Sequence, residues 1–183
     1  LKQDYVYLID YARLFAIGSS KAEDLEKMAT FAKLLHGVLD VEMDLHRNYA
    51  AEFGISKEEL ESTEPSAITT AYTSYMLSQR GGVENVLASV LVCEWSYNFI
   101  GKSLAKWPGA LDDNFYSSWV EMYSSNEFTE LAEETKQLMN QIAEGKPEQE
   151  LARLEEIVVK TSQFEYMFWD MVEKKEDWPV NAE

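Results

Sequence analysis

The sequence predicts an all-α protein, a multi-helix bundle formed by a single domain. Apolar residues recur at three- and four-residue spacing in segment after segment, and no segment keeps the strict alternation of a strand. Capping residues and glycines separate these segments, and no Asn-Gly or Asp-Gly pair signals a hairpin. A chain of 183 residues can bury a substantial core, so we expect one domain over residues 1–183.

Residues typical of helix starts and stops predict the limits of the first two helices. A helix over roughly 1–17 places several aromatic residues on one face, and Gly18 is expected to end it. Ser20-Lys21-Ala22-Glu23 has the form of a capping box. A long second helix is therefore expected to run from there to about Phe53 and to stop at Gly54.

The rest of the chain divides in the same way. Ser56 is expected to cap a short acidic turn, and Pro65-Ser66 to begin a third helix that ends at Gly81-Gly82. The tail from Asp177 to Glu183 reads as irregular. Further helices are expected over about 83–106, 114–123, 126–144 and 148–174, which makes about seven in all, joined by short connections.

The charge of the chain excludes some classes of partner. A formal net charge of −17 argues against nucleic acid and against an anionic membrane, because both repel such a surface. No apolar run is long enough to span a bilayer. A single cysteine argues against a disulfide-stapled fold and is compatible with a reducing cytoplasm.

Cys93 is that single cysteine, and it lies within an apolar helical run. Tyr97 follows four residues later and therefore falls on the same helical face one turn away. A thiol here is either a buried, inert part of the core or a nucleophile. Taken alone, the cysteine favours the first interpretation.

Two carboxylates are expected to face inward. The helical neighbours of Glu165 are mostly apolar or aromatic, so its carboxyl group should be buried, with a raised pKa. It is either bonded to tyrosine hydroxyls or functional. Asp4 shares a helical face with Tyr7, Leu8 and Tyr11, although an acid near a helix start is also favoured there by the helix dipole.

Tyrosines are abundant, with ten in the chain. Tyr72, Tyr75, Tyr97 and Tyr123 fall on different predicted helices. A pocket of aromatic rings with hydroxyl tips suits a flat, polar heterocycle, because rings stack and hydroxyls orient the ligand. An ordinary aromatic core is the alternative for any one of them.

No metal site is expected. Glu42-x-x-x-His46 is one residue longer than the Glu-x-x-His spacing of di-iron bundles, and the chain has only two histidines. Haem ligation by His36 or His46 stays an alternative, although a lone histidine more often has a structural role. The sequence has no zinc cluster, phosphate-binding glycine loop or Ser-His-Asp signature.

Five or more short motifs, in order and at comparable spacing, resemble the TenA/thiaminase II family of thiamin-salvage enzymes. They extend over nearly the whole chain. They are Gln3-Asp4-Tyr5-Val6-Tyr7-Leu8, Glu42-Met43-Asp44-Leu45-His46-Arg47, Ala71-Tyr72-Thr73-Ser74-Tyr75-Met76, Cys93-Glu94-Trp95-Ser96-Tyr97, Tyr116-Ser117-Ser118-Trp119 and Phe164-Glu165-Tyr166-Met167-Phe168-Trp169.

The resemblance implies a haem-oxygenase-like helical fold without haem, and hydrolysis of thiamin or its aminopyrimidine breakdown products to the hydroxymethyl pyrimidine. It implies no cofactor, a small-molecule substrate, a cytoplasmic location and a homotetramer. By motif, Cys93 matches the nucleophile, Glu165 the acid/base carboxylate and Asp4 the acid that binds the pyrimidine. Residues matching the pocket lining are Tyr7, Tyr72, Tyr97, Tyr123 and Phe168.

Two further expectations, and the alternatives to the hydrolase, go with this resemblance. The first helix of the family is expected to precede Leu1, where a helical pattern is already running. Glu94 should point about 100° away from Cys93 and so leave the site. The alternatives to the hydrolase are a non-catalytic regulatory protein, or an oxidase or oxygenase on the same helical fold.

Overall fold

A computed structural model describes residues 1–180 of the chain. Every regular element among those residues is helical, which confirms the predicted all-α class. The α-helices are α1 (Lys2–Lys21), α2 (Leu25–His36), α3 (Met43–Glu52), α4 (Lys57–Glu61), α5 (Ala67–Ser78), α6 (Val83–Leu104), α7 (Ser117–Ser124), α8 (Asn126–Ala143) and α9 (Glu148–Lys174), and a π-helical turn, Gly37–Glu42, joins α2 to α3.

The predicted end of the first helix was wrong. α1 continues through Gly18 to Lys21, and the side chain of Asp24 caps α2 by accepting a hydrogen bond from the Lys27 amide. Gly18 has a packing role instead, since a Cβ atom there would lie 2.4 Å from the ring of Phe31. The glycine allows α1 and α2 to approach closely.

The predicted second helix is interrupted. Residues 37–42 form a π-helical turn, in which the Met43 amide reaches back to the Val38 carbonyl, so one long helix becomes α2 and α3. The acidic segment Lys57–Glu61 is a short helix rather than a turn. These two differences raise the number of α-helices in residues 1–180 from the expected seven to nine.

Most other predicted boundaries hold to within a few residues. Ser56 and Ser66 cap α4 and α5 through their side chains. The third predicted helix ends at Ser78, earlier than expected, and Gly82 is the N-cap of α6. Residues 175–180 are not helical, as predicted, and residues 181–183 of the predicted tail lie outside the described residues.

α6 lies at the centre of the bundle. Residues 85–94 are buried in an unbroken run, and α6 packs against α1, α7, α8 and α9. α7 approaches so closely that a Cβ atom on Gly101 would lie 2.7 Å from the Tyr123 backbone. The Asn98 side chain donates a hydrogen bond to the Tyr123 carbonyl at 3.0 Å, which fixes α7 against α6.

None of the helices within residues 1–180 is both long enough and apolar enough to cross a membrane.

Candidate active site

Cys93 lies in the middle of α6 and is only 4% exposed. Burial raises the pKa of its thiol well above the usual value, and the carboxylates of Glu165 and Glu42 raise it further. The nearby Tyr7 hydroxyl partly offsets that rise. The resting thiol is therefore protonated at neutral pH, and it needs a base before it can act as a nucleophile.

Among the charged groups, Glu165 on α9 acts most strongly on the pKa of this thiol. Burial raises the pKa of its carboxyl group to about 7, while a hydrogen bond from Tyr72 acts in the opposite direction. The Tyr72 hydroxyl donates to Glu165 Oε2 at 2.8 Å. The carboxyl group bonded to a tyrosine hydroxyl, one of the two alternatives for this residue, is thus present, and it titrates near neutrality. A functional role stays a prediction.

Asp4 pairs with His46. Asp4 Oδ2 lies 2.7 Å from His46 Nε2, and His46 Nδ1 lies 2.8 Å from the Glu42 carbonyl oxygen. The His46 side chain is almost fully buried, whereas that of Asp4 is 16% exposed. The Asp4 carboxyl group is therefore partly exposed, whereas the imidazole that it pairs with is buried.

A second buried carboxylate supports this pair. Tyr123 on α7 donates a hydrogen bond to Glu42 Oε1 at 2.7 Å. Burial raises the Glu42 pKa, while His46 and the Tyr123 bond act to lower it. The site thus contains three carboxylates, Asp4, Glu42 and Glu165, around one thiol.

The tyrosines predicted from the sequence surround Cys93. Burial raises the pKa of each, and Cys93 adds to that rise, so Tyr7, Tyr72, Tyr97 and Tyr123 all lie near the thiol as neutral phenols. Tyr7 packs on Tyr72 with ring centroids 5.1 Å apart and on Phe168 at 5.8 Å. Tyr75 instead packs against Phe164 in a neighbouring cluster.

A pocket of about 580 Å³ opens at this point. Asp4, His46, Tyr97 and Phe168 contribute to its lining. Its outer walls are mostly aromatic and come from Tyr49, Phe53, Phe115, Tyr116, Trp119 and Trp169.

Cys93 and Glu165 are buried and are not among the residues that line this pocket. Tyr97 follows Cys93 by one turn of α6, and Phe168 follows Glu165 by one turn of α9. Each candidate reacting group is therefore one helical turn from a ring that lines the pocket. Tyr7, Tyr72 and Tyr123 are buried like the thiol and do not line the pocket either.

Sequence reasoning missed His46 and Glu42 as parts of this site. Their four-residue spacing was a signal, but we considered it only as metal ligation. Among residues 1–180, no group of three or more His, Cys, Asp or Glu side chains is arranged to hold a metal ion. Trp169 was also missed, although its ring lies 5.6 Å from that of Tyr97.

Glu94 follows Cys93 and is also buried, but it faces Tyr11 and Thr135 instead of the pocket. Its predicted direction away from the thiol is consistent with these neighbours. Burial raises the Glu94 pKa to about 8, and its Oε2 has no hydrogen-bond partner among the described residues. The carboxyl group is therefore held in its neutral form at pH 7.

We expect Glu94→Gln to stabilise the protein at alkaline pH. The folded state keeps the Glu94 proton up to about pH 8, whereas an ordinary glutamate loses it near 4.5. The stabilising contribution of Glu94 is therefore complete below about pH 4.5 and is lost as the pH rises to about 8. Glutamine cannot ionise, so the variant should gain on the order of 2 kcal/mol relative to wild type between pH 5 and 8.5.

Urea unfolding at these two pH values measures that gain. Glu130→Gln is a matched control, since it removes the same charge from an exposed position on α8. An equal difference between the Glu94 variant and wild type at both pH values would contradict a buried, neutral Glu94.

The sequence matches the model of the TENA/THI-4/PQQC family over residues 1–175. An aminopyrimidine aminohydrolase from Halalkalibacterium halodurans is 53% identical over 100% of this chain and 82% of its own length. A second protein of that name, from Helicobacter pylori, is 39% identical over 92% of this chain and 79% of its own.

Solved structures agree with these sequence matches. A TenA family transcription regulator from a Silicibacter species superposes with a TM-score of 0.84 at 26% identity, and the match covers 93% of this chain and 78% of the other. A TenA homologue from Pyrococcus horikoshii superposes with a TM-score of 0.80 at 29% identity, with the same shares of the two chains covered.

Proposed function

Because this chain belongs to the TENA/THI-4/PQQC family, we propose that it is an aminopyrimidine aminohydrolase of thiamin salvage. The single observation that carries the proposal is the buried pair of Cys93 and Glu165, each one helical turn from a ring that lines an aromatic pocket. A thiol beside a carboxyl group with a pKa of about 7 is suited to covalent catalysis with proton transfer. The name shared by two relatives supports the same reaction.

The proposed substrate is a 4-amino-2-methylpyrimidine with a leaving group on its exocyclic methylene. That group is an amine in thiamin breakdown products and a thiazolium in thiamin itself. The product is 4-amino-5-hydroxymethyl-2-methylpyrimidine. We further propose that the enzyme is cytoplasmic and assembles as a homotetramer, as the family resemblance implies.

The first chemical step makes the ring attackable. Ionised Glu165 takes the Cys93 proton and passes it to a pyrimidine ring nitrogen, while the sulfur adds to the ring carbon next to the methylene-bearing carbon. One C–S bond and one N–H bond form, and the aromaticity of the ring is lost. Asp4 binds the exocyclic amino group, and Tyr97 and Phe168 hold the ring.

The second step releases the leaving group. Electrons of the dearomatised ring expel the amine from the methylene as the C–N bond breaks, and the amine takes the proton that the ring nitrogen received in the first step. Water then adds to the exposed methylene and forms the C–O bond. The proton from that water returns to the Glu165–Cys93 pair as the C–S bond breaks, which restores the aromatic ring. The net reaction exchanges one amine for one water.

Product analysis by mass spectrometry tests the function. The protein would be incubated separately with thiamin and with 4-amino-5-aminomethyl-2-methylpyrimidine, and the hydroxymethyl pyrimidine would be quantified. We expect product from at least one substrate, and the faster one identifies the leaving group that the enzyme prefers. Absence of product from both would overturn the proposed hydrolysis.

A further inference from the structure

The hydrogen bonds of His46 constrain where its protons lie. The Glu42 carbonyl oxygen can only accept, so His46 Nδ1, at 2.8 Å, must carry a proton. Asp4 Oδ2 lies 2.7 Å from Nε2 on the opposite side of the ring. Two lone pairs at that distance would repel, so a second proton must lie between Nε2 and the carboxyl group.

Resting on the proposed function, we propose that His46 is a positioning residue, held as an imidazolium, that orients the Asp4 carboxylate and aims its second oxygen at the amino group of the substrate pyrimidine. Within residues 1–180, the Asp4 carboxylate makes its hydrogen bond to His46 through Oδ2 alone. Its other oxygen is left for the pocket that Asp4 lines.

The surroundings of the pair favour a positive imidazole. The titratable groups that face it from neighbouring elements are Glu42 on the π-helical turn, Cys93 and Tyr97 on α6, Tyr123 on α7 and Glu165 on α9. Each of these is neutral or negative. Burial opposes the imidazolium, but the Asp4 carboxylate, the Glu42 carbonyl and the Glu42 carboxyl group together more than compensate, so the His46 pKa is raised.

The π-helical turn supplies the fixed end of this arrangement. It ends at Glu42, whose carbonyl oxygen binds the His46 ring and whose side chain is held by Tyr123. The Glu42 carbonyl thus holds the His46 ring, and Tyr123 on α7 holds the Glu42 side chain. A single rigid chain of contacts then runs from Tyr123 through Glu42 and His46 to Asp4.

The orientation of Asp4 predicts a specific preference in the substrate. A carboxylate accepts hydrogen bonds but cannot donate them, so the position it faces must carry a donor such as an amino group. A 4-oxo analogue would present an acceptor there and leave the carboxylate without a partner. We expect such an analogue to bind at least 100-fold more weakly than the aminopyrimidine.

Nuclear magnetic resonance of the histidine ring nitrogens tests the protonation directly. The chain has two histidines, so His36→Gln leaves His46 as the only signal. At pH 7 we expect both nitrogens of His46 to be protonated, and in Asp4→Asn we expect Nε2 to lose its proton while Nδ1 keeps it. A neutral His46 ring in the presence of Asp4 would overturn the proposal.

Kinetics supply the second readout. His46→Gln keeps an amide that can bond Asp4 but provides no charge, and we expect kcat/KM to fall about 100-fold, mainly through KM. The same substitution in an Asp4→Asn background should add little, because the two residues act together. The exposed His36→Gln serves as the control and should be unchanged. Additive losses would overturn the coupling.

The resonance and kinetic experiments distinguish a failure of the His46 role from a failure of the proposed function. If wild type turns over no aminopyrimidine, the proposed function fails, and the resonances still decide whether His46 is an imidazolium. If wild type is active but the ring is neutral, only the role of His46 fails.

Discussion

Cys93→Ala is expected to lower kcat/KM for the aminopyrimidine by roughly a factor of 1,000 or more. The sulfur is the atom that would bond the ring carbon, and no other cysteine in the chain can replace it. The substitution removes one buried atom from α6, so the fold should persist. Initial rates with purified variants measure the loss.

Ser89→Ala provides a matched control. Ser89 is buried one turn before Cys93, and its hydroxyl bonds the Val86 carbonyl within α6. We expect that variant to keep wild-type turnover. Acid quenching of wild type, followed by intact-protein mass spectrometry, should also trap the pyrimidine on Cys93. If Cys93→Ala or Cys93→Ser kept more than a tenth of the activity, the covalent route would be wrong.

Glu165→Gln has the second of the two largest expected effects, a loss of about 100-fold to 10,000-fold in kcat/KM. Glutamine fills the same space and can still bond Tyr72, but it cannot accept the Cys93 proton. The proton relay between thiol and ring nitrogen would therefore be lost while the pocket kept its shape.

The Glu165 pKa also predicts the direction in which kcat/KM changes with pH. Below about pH 7 both Glu165 and the thiol are protonated, and the base is missing. Wild-type kcat/KM should therefore fall as the pH drops through about 7, an apparent value that belongs to the Cys93–Glu165 pair. In Glu165→Gln that acidic limb should disappear. A limb that persisted unchanged would assign the titration to another group.

Tyr72→Phe tests, in the same pH profile, how the Tyr72 hydroxyl affects the Glu165 pKa. The Tyr72 hydroxyl donates to Glu165 and thereby favours the ionised carboxylate. Without it, the Glu165 pKa should rise, and the acidic limb should move to higher pH while most of the activity remains.

Much of this site could be predicted because its polar and reactive side chains lie in otherwise apolar segments of the sequence. Glu165 is a carboxyl group on an apolar helical face, and Cys93 is a thiol in an apolar run, so both stand out without any structure. Helical periodicity then placed Asp4 and Tyr97 on inward faces, and the structure puts both at the pocket. Their catalytic and binding roles stay predictions.

The parts that sequence reasoning missed depend on contacts between distant segments. Gly18 reads as a helix end, yet its role is set by Phe31 on another helix. The interruption at residues 37–42 has no glycine-proline signature beyond Gly37, and only the bond between His46 and Asp4 shows what the turn positions. Local periodicity carries no information about such pairs.

The walls of the pocket have a consequence for the selection of substrates. None of the described residues that line it is a lysine or an arginine, and Asp4 adds a negative charge. A phosphate ester entering it would give up its hydration without meeting a lysine or an arginine, since the imidazolium that we propose at its wall, His46, is already paired with Asp4. The protein also carries a formal charge of −17. Uncharged amines and cationic heterocycles meet no such barrier, since aromatic faces attract cations. The pocket should therefore act as an electrostatic filter that admits dephosphorylated vitamin fragments and rejects their phosphorylated forms.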